Sequence, residues 1–367
     1  MKKSVVFIVQ QLSQPRCIKR IATIQNSGVS VIVYGFDNGL YSDNLNNLPF
    51  KIKEIIQRDK SDSKLKKIKF FKSTIRRILQ ENNESGIFYF FGYEIATIAY
   101  ILGCRNYIYE EADVSAARIK SALFRKFLLC IDRHIIRKSL LTIFTSEGFI
   151  DFIFKNKTVP KQIILLPNKL NQYFDYSKKK AVVKKNIDID NIKFGFIGLI
   201  RYPNTIIRFA KVVGKHFPQH EFHFYGDAER PEYIDNEVAS YKNIYFHGAF
   251  KNPIDLPAIY NNIDISVVCY DTTSGNVRIA EPNKLYESIF FETPIVVSSD
   301  TFLANKVKKY NAGDCIDASN DESIIQYIKG LNTEHLNQVS LALSKVDYKI
   351  LIDSPEELIN SVNKIIL

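Results

Sequence analysis

The chain has no tryptophan and one methionine in 367 residues, and its five cysteines (Cys17, Cys104, Cys130, Cys269, Cys315) show no CxxC spacing. That scatter supports neither a disulfide framework nor a structural zinc site, and the six histidines form no ligand pair with them. No acidic metal site stands out, so no metal or other cofactor is expected. Long apolar runs are also missing, and none approaches the roughly 20 residues of a membrane span. The opening MKKSVVFIVQQ has a charged start, but its apolar core is shorter than a signal peptide's and reads as a first strand. The protein is therefore expected in the cytoplasm.

What the chain does have is core material. Hydrophobic residues make up 46% and aromatics 13%, which excludes disorder, and the length suits two domains better than one core. Charge is unevenly spread. Residues 1–180 carry 31 Lys and Arg against 15 Asp and Glu, whereas residues 181–367 carry 19 against 24, so a half at +16 precedes a half at −5. The two halves should face different electrostatic partners.

Short β-rich runs alternate with helical patterns in both halves, which predicts βαβ units and parallel, doubly wound sheets. The expected strands of the first half are Ser4–Val9, Val29–Tyr34, Ile87–Phe91, Asn106–Tyr109 and Leu141–Phe144, and the apolar run Ile163–Leu166 ends at Pro167-Asn168. A polar stretch with Lys178-Lys179-Lys180 then breaks the pattern. The division expected is a first domain over 1–168, a linker over 169–190, a second domain over 191–350 and a closing segment over 351–367. Strands of the second series are expected at Ile192–Ile197, Glu221–Tyr225, Ile244–His247, Asp264–Cys269 and Gly313–Ile316, with a further buried strand after a turn at Pro294.

Ligands of such sheets gather beyond the carboxyl ends of the strands. In the first half that places the loops Gln10–Arg16, Gly92–Glu94 and Glu110–Asp113 on one rim. Glu110, Glu111 and Asp113 fall within four residues, and clustered acids raise one another's pKa toward the range of a general base. Acids decorating a helix start would explain them equally well. In the second half Gly198 sits where a strand turns into a helix, with Arg201 three residues on, a pair suited to a phosphate. The stretch RIAEPNKLYESIFFETPIVVSS (278–299) carries more chemistry. If Pro282 opens a helix, Asn283 and Lys284 lie in its first turn, where unpaired N–H groups and the dipole welcome an anion, and Glu287 follows on the same side. The alternative is an ordinary amphipathic helix with Lys and Glu solvated.

Two basic helices stand out in the first half. Lys60–Arg77 interleaves its charges with Leu65, Ile68, Phe70, Phe71 and Ile75, as a helix on an anionic bilayer or a nucleic-acid patch would, or as an ordinary solvated face would. The second, about Ala116–Leu140, carries Arg118, Lys120, Arg125, Lys126, Arg133, Arg137 and Lys138. The spacing of Phe124, Phe127, Leu128, Ile131 and Ile135 predicts that these face the core.

LLPN (Leu165–Asn168), FGFIG (Phe194–Gly198), YGD (Tyr225–Asp227), HGAF (His247–Phe250) and PNKLYESIFFETPIVVSS, in that order, resemble the GT-B glycosyltransferases, in particular the large E-x7-E family that uses nucleotide-sugar donors. The resemblance implies an α/β GT-B fold of two Rossmann-like domains facing a cleft. The second would hold a nucleotide diphosphate sugar, the first the acceptor, and the final helix, about Pro355–Ile366, would cross back to the first. Glu287 matches the motif's second Glu, a ribose ligand, while the first Glu's place is Ile279, with Glu281 two residues along. Arg201 and Lys284 are the implied diphosphate cations, Arg278 the reserve, and Glu281 or Asn283 the sugar contact. The usual Gly-Arg is Gly198-Leu199 here, and the usual Lys is Asn204. The N-terminal half matches only in pattern.

The expected activity is therefore sugar transfer to a glycan or lipid-linked acceptor, with leaving-group charge met by Arg201, Lys284 and the helix dipole. Asp113, with Glu110 and Glu111, is the candidate group near the acceptor hydroxyl. An anionic membrane surface is the expected partner of the basic half, and nucleic acid is not. Two other readings stay open: a nucleotide-sugar epimerase on the same fold, and a non-catalytic basic binding module.

Overall fold

The computed structural model describes residues 3–12, 14–37, 48–57, 63–83, 86–172, 187–200, 203–228 and 231–367. The chain forms two compact units, one of residues 1–168 with 354–367 and one of residues 169–353.

The first unit is built on a seven-stranded sheet in the order β3-β2-β1-β4-β5-β6-β7, with strands β1 Ser4–Val9, β2 Val31–Asp37, β3 Glu54–Gln57, β4 Gly86–Phe91, β5 Tyr107–Glu111, β6 Leu141–Phe144 and β7 Ile163–Leu165. All neighbours are parallel. Parallel strands need crossover helices, which cover both faces, so their residues read as near-continuous apolar runs. SVVFIV and GIFYFF show this, with every residue after the first buried. The helices of this unit are α1 Pro15–Asn26, α2 Lys64–Glu81, α3 Tyr93–Ile101, α4 Ala122–Lys138 and α5 Glu147–Phe154, joined by the C-terminal helix α14 Glu356–Ile366. Leu358 and Val362 of α14 lie in one core with Ile21 of α1 and Val5 and Phe7 of β1. Helices α2, α3, α4 and α5 pack in sequence against one another.

The second unit carries a six-stranded parallel sheet ordered β10-β9-β8-β11-β12-β13, from β8 Lys193–Ile197, β9 Glu221–Tyr225, β10 Ile244–Phe246, β11 Ile265–Val268, β12 Ile295–Ser298 and β13 Gly313–Ile316. Its helices are α6 Pro203–His216, α7 Pro231–Val238, α8 Leu256–Asn262, α9 Gly275–Ile279, α10 Asn283–Phe290, α11 Phe302–Tyr310, α12 Asp321–Gly330 and α13 Thr333–Ser344. One core holds Ile206 and Phe209 of α6 with Ile324 and Ile328 of α12. The other holds Leu285 and Ile289 of α10 with Val307 of α11 and Val339 of α13. Side-chain caps mark the helix starts: Thr301 Oγ1 accepts from Ala304 N at 3.0 Å, and Asn320 Oδ1 from Glu322 N at 2.9 Å.

Three expectations need correction. The single basic helix over 116–140 is a 3-10 turn, Ser115–Arg118, followed by α4 after a break at 119–121. Phe124 and Phe127 are 50% and 58% exposed rather than core-facing; the core side of α4 is Asp132, Ile135 and Ile136. Phe70 and Phe71 of α2 are not outward anchors, because both pack on Phe36, with ring centroids 6.2 and 4.6 Å away. Lys60 and Lys178–Lys180 lie outside the described residues.

Candidate active site

Each sheet reverses its direction of growth once, and ligand crevices of open α/β sheets form at that reversal, beyond the carboxyl ends of the strands. In the second unit the reversal lies between β8 and β11. Gly198, directly after β8, has φ +123°, in the left-handed region where only glycine is unstrained. A β-carbon there would meet Lys284 Nζ at 2.7 Å. Gly226, after β9, has φ +125°, and a β-carbon on it would collide with the Gly198 carbonyl. The two turns are laced together, Gly198 N donating to Tyr225 O at 2.7 Å and Ile200 N to Asp227 O at 2.9 Å.

Lys284 is delivered by α10, which begins at Asn283 with Pro282 before it and no capping side chain. It is almost fully buried. Its Nζ lies 5.5 Å from the ring of Phe196 on β8 and 5.9 Å from that of Tyr270 just past β11. The cation thus bridges the two strands that flank the reversal, in the first turn of a helix whose dipole has the same sign.

Glu287 lies one turn further along α10 and is buried. Its Oε1 accepts from Asn283 Nδ2 at 2.6 Å and from Asn252 Nδ2 at 3.3 Å, and its Oε2 accepts from Tyr260 OH at 3.2 Å. The i, i+4 spacing of Asn283 and Glu287 made their contact foreseeable. Asn252 and Tyr260 were missed. Tyr260 reads as one more core aromatic of α8, and Asn252 sits in a loop without a motif.

Glu281 has a fully buried side chain that accepts from Tyr286 OH and pairs with Lys306 Nζ at 3.8 Å. Arg278 is exposed in the last turn of α9, its Nε donating to Thr272 O at 2.9 Å. Asn204, at the expected position of a lysine, donates to Asp271 Oδ2 at 3.1 Å, tying α6 to the loop after β11. Burial opposes ionisation of Asp271, but the donors on Thr273 and Asn204 outweigh it and hold its pKa low. Arg201 lies outside the described residues.

The three acids at the end of β5 enter different environments. Adjacent residues of a strand point to opposite faces, so Glu110 and Glu111 enter different layers although both are buried. Glu110 meets Arg20 of α1, Nε to Oε2 3.0 Å, and Arg16, Nε to Oε1 3.5 Å, and accepts from Tyr89 OH. Burial would raise its pKa, but Arg20 and Arg16 prevail and lower it. This corrects the expectation of mutual pKa raising for Glu110.

Glu111 enters the helical layer of α3 and α4. Its pKa is pushed well above the carboxylate range by burial, then by Asp132, Glu94 and Asp113. Asp132 of α4 is likewise buried, and its pKa is pushed up to about 7 by that burial, with Arg133 opposing and Glu94 adding. Asp113 alone is exposed at the rim, 3.3 Å from Arg118 Nη2. The three clustered acids are therefore an interior ion pair, a buried acid with raised pKa and a solvated carboxylate.

Neither a family model nor a curated protein sequence matches the chain. Solved structures do. HepE of Anabaena, solved with UDP and glucose, superposes with a TM-score of 0.69 at 12% identity, covering 98% of this chain and 99% of that one. The fold is GT-B. Sucrose-phosphate synthase of Thermosynechococcus elongatus matches this GT-B chain at TM-score 0.69 and 11% identity over 99% of it and 98% of the synthase. WaaG, a glycosyltransferase of lipopolysaccharide biosynthesis, matches at 0.68 and 15% over 97% and 98%. The GT-B architecture expected from LLPN, FGFIG, YGD, HGAF and the α10 motif is thus present across both units.

Proposed function

We propose that the protein is a glycosyltransferase that takes a sugar from a nucleotide diphosphate donor to a glycan or lipid-linked acceptor. The observation that carries this reading is the Lys284 ammonium at Gly198, at the sheet reversal of the second unit and in the first turn of α10. A diphosphate seated there would meet a backbone without side chain, a fixed cation and a helix N-terminus. Glu287, oriented by Asn283, Asn252 and Tyr260, would accept from a ribose hydroxyl. As the sugar leaves, charge grows on the terminal phosphate, and Lys284 with the α10 dipole would stabilise it, with Arg201 or Arg278 as a further cation. UDP bound to HepE supports a UDP-sugar as the first donor to try.

In the first unit Asp113 is the candidate group near the acceptor hydroxyl, because it alone of the three acids reaches solvent. The charge of the first half supports work at the anionic cytoplasmic face of a membrane, and no helix among the described residues is long and apolar enough to cross one.

The test is a screen of UDP- and other nucleotide-sugars, with and without lipid-linked acceptors, following donor hydrolysis and labelled sugar. Acceptor-dependent transfer is expected. Epimerisation without an acceptor would replace the reading by the epimerase one, and no thermal shift with any nucleoside diphosphate would leave a binding module.

A further inference from the structure

Among the described residues, helix α4 carries an apolar face that stays largely exposed. Leu123 is 80%, Phe124 50% and Phe127 58% exposed, and the rings of Phe124 and Phe127 stack at 6.3 Å. At 100° per residue Leu123, Phe127, Cys130, His134, Arg137 and Lys138 share the outward side, while Asp132, Ile135 and Ile136 face in. The first half of that stripe is thus apolar and its end cationic.

The exposed charges of α4 itself are of one sign, although the helices packed on it add the exposed acids Glu94 on α3 and Glu147 and Asp151 on α5. Lys120, Lys126, Arg137 and Lys138 are exposed around it, and the only acid of α4, Asp132, is buried. Arg125 and Arg133 also belong to the helix but donate to the Ile119 and Ile153 carbonyls. Beyond α3 lies α2, whose exposed Lys66, Lys69, Lys72 and Arg76 add charge without aromatics, since Phe70 and Phe71 pack on Phe36.

We infer that the outward face of α4 is the membrane-docking surface of the first unit, with Leu123, Phe124 and Phe127 entering the headgroup–acyl boundary of an anionic bilayer and α2 adding long-range attraction. Charge complementarity selects the bilayer. Three large apolar side chains on a helix whose exposed charges are all cationic suit an apolar layer under a negative surface. A second copy of the face would oppose like charges. The inference rests on the proposed membrane setting and not on the identity of the donor.

The test is co-sedimentation of the full chain with phosphatidylcholine vesicles containing either no anionic lipid or about 30 mol% phosphatidylglycerol, at low and high salt. Two variants are compared with wild type: Leu123→Ser/Phe124→Ser/Phe127→Ser on α4 and Lys66→Glu/Lys69→Glu on α2. Melting temperature and the thermal shift with UDP monitor folding. Wild type should bind the anionic vesicles. The α4 variant should lose about tenfold or more of that binding at both salt concentrations, and the α2 variant should lose mainly at low salt. Wild-type binding that the folded α4 variant retains overturns the surface and leaves the membrane setting standing. Absence of wild-type binding to any vesicle overturns both. A wild-type dimer that the α4 substitutions dissociate, without vesicle binding, assigns the face to a second copy instead.

Discussion

The Lys284 ammonium lies only 2.7 Å from where the first side-chain carbon would stand if residue 198 were anything but glycine. Gly198→Ala would push the cation aside and also force a φ of +123° on an alanine. Stability should fall by about 1–3 kcal/mol, and nucleoside diphosphate affinity should fall further than in a surface variant of equal stability. Calorimetric titration with UDP and a urea melt check the two effects separately.

Glu287 has three side-chain donors around it, so its orientation should survive the loss of one. Tyr260→Phe should cost about 0.5–1.5 kcal/mol of stability and weaken nucleotide binding only slightly. Glu287→Ala should weaken it by about 1.5–3 kcal/mol if a ribose hydroxyl is its ligand. Equal effects of the two substitutions would make Glu287 a packing residue.

Glu110 and Asp113 should respond oppositely. Removing one partner of a buried ion pair costs about 3–5 kcal/mol, so Glu110→Ala should destabilise the first unit severely through Arg20. Asp113→Asn should leave the melting curve in place and, if Asp113 serves the acceptor hydroxyl as a base, slow transfer by roughly 100-fold. A rate unchanged in Asp113→Asn removes that role.

Asp132 makes a prediction in pH. Its folded pKa of about 7 lies above the ordinary carboxylate value, so the native state binds more protons than the unfolded one between the two. Stability from this group is therefore fully present below about pH 4 and falls as pH rises to about 7. Asp132→Asn should remove that fall. Denaturant melts of both proteins across the interval measure it, and parallel curves would contradict it.

Much of the fold was legible because parallel strands covered on both faces leave uninterrupted apolar runs. Ser4–Val9, Leu141–Phe144, Glu221–Tyr225 and Gly313–Ile316 are found where the sequence predicts them. Strand β3, EIIQ, was not, since a four-residue edge strand with polar ends and only Ile56 buried carries no such run. Periodicity showed that α4 has an apolar side but not that Phe124 and Phe127 stand outside it. Along α10, local spacing was enough to foresee the contact of Asn283 with Glu287. The partners supplied by distant segments, Tyr260 and Asn252 for Glu287 and Arg20 for Glu110, had no local signal.

The most direct measurement is calorimetric titration of UDP into wild-type protein and into Lys284→Ala, with the melting temperature of each recorded without ligand. The account predicts saturable wild-type binding and a loss of about 1.5–3 kcal/mol, roughly 10- to 150-fold in Kd, in a variant that remains folded. Equal affinity in the two folded proteins would contradict the placement of the donor's diphosphate at Lys284.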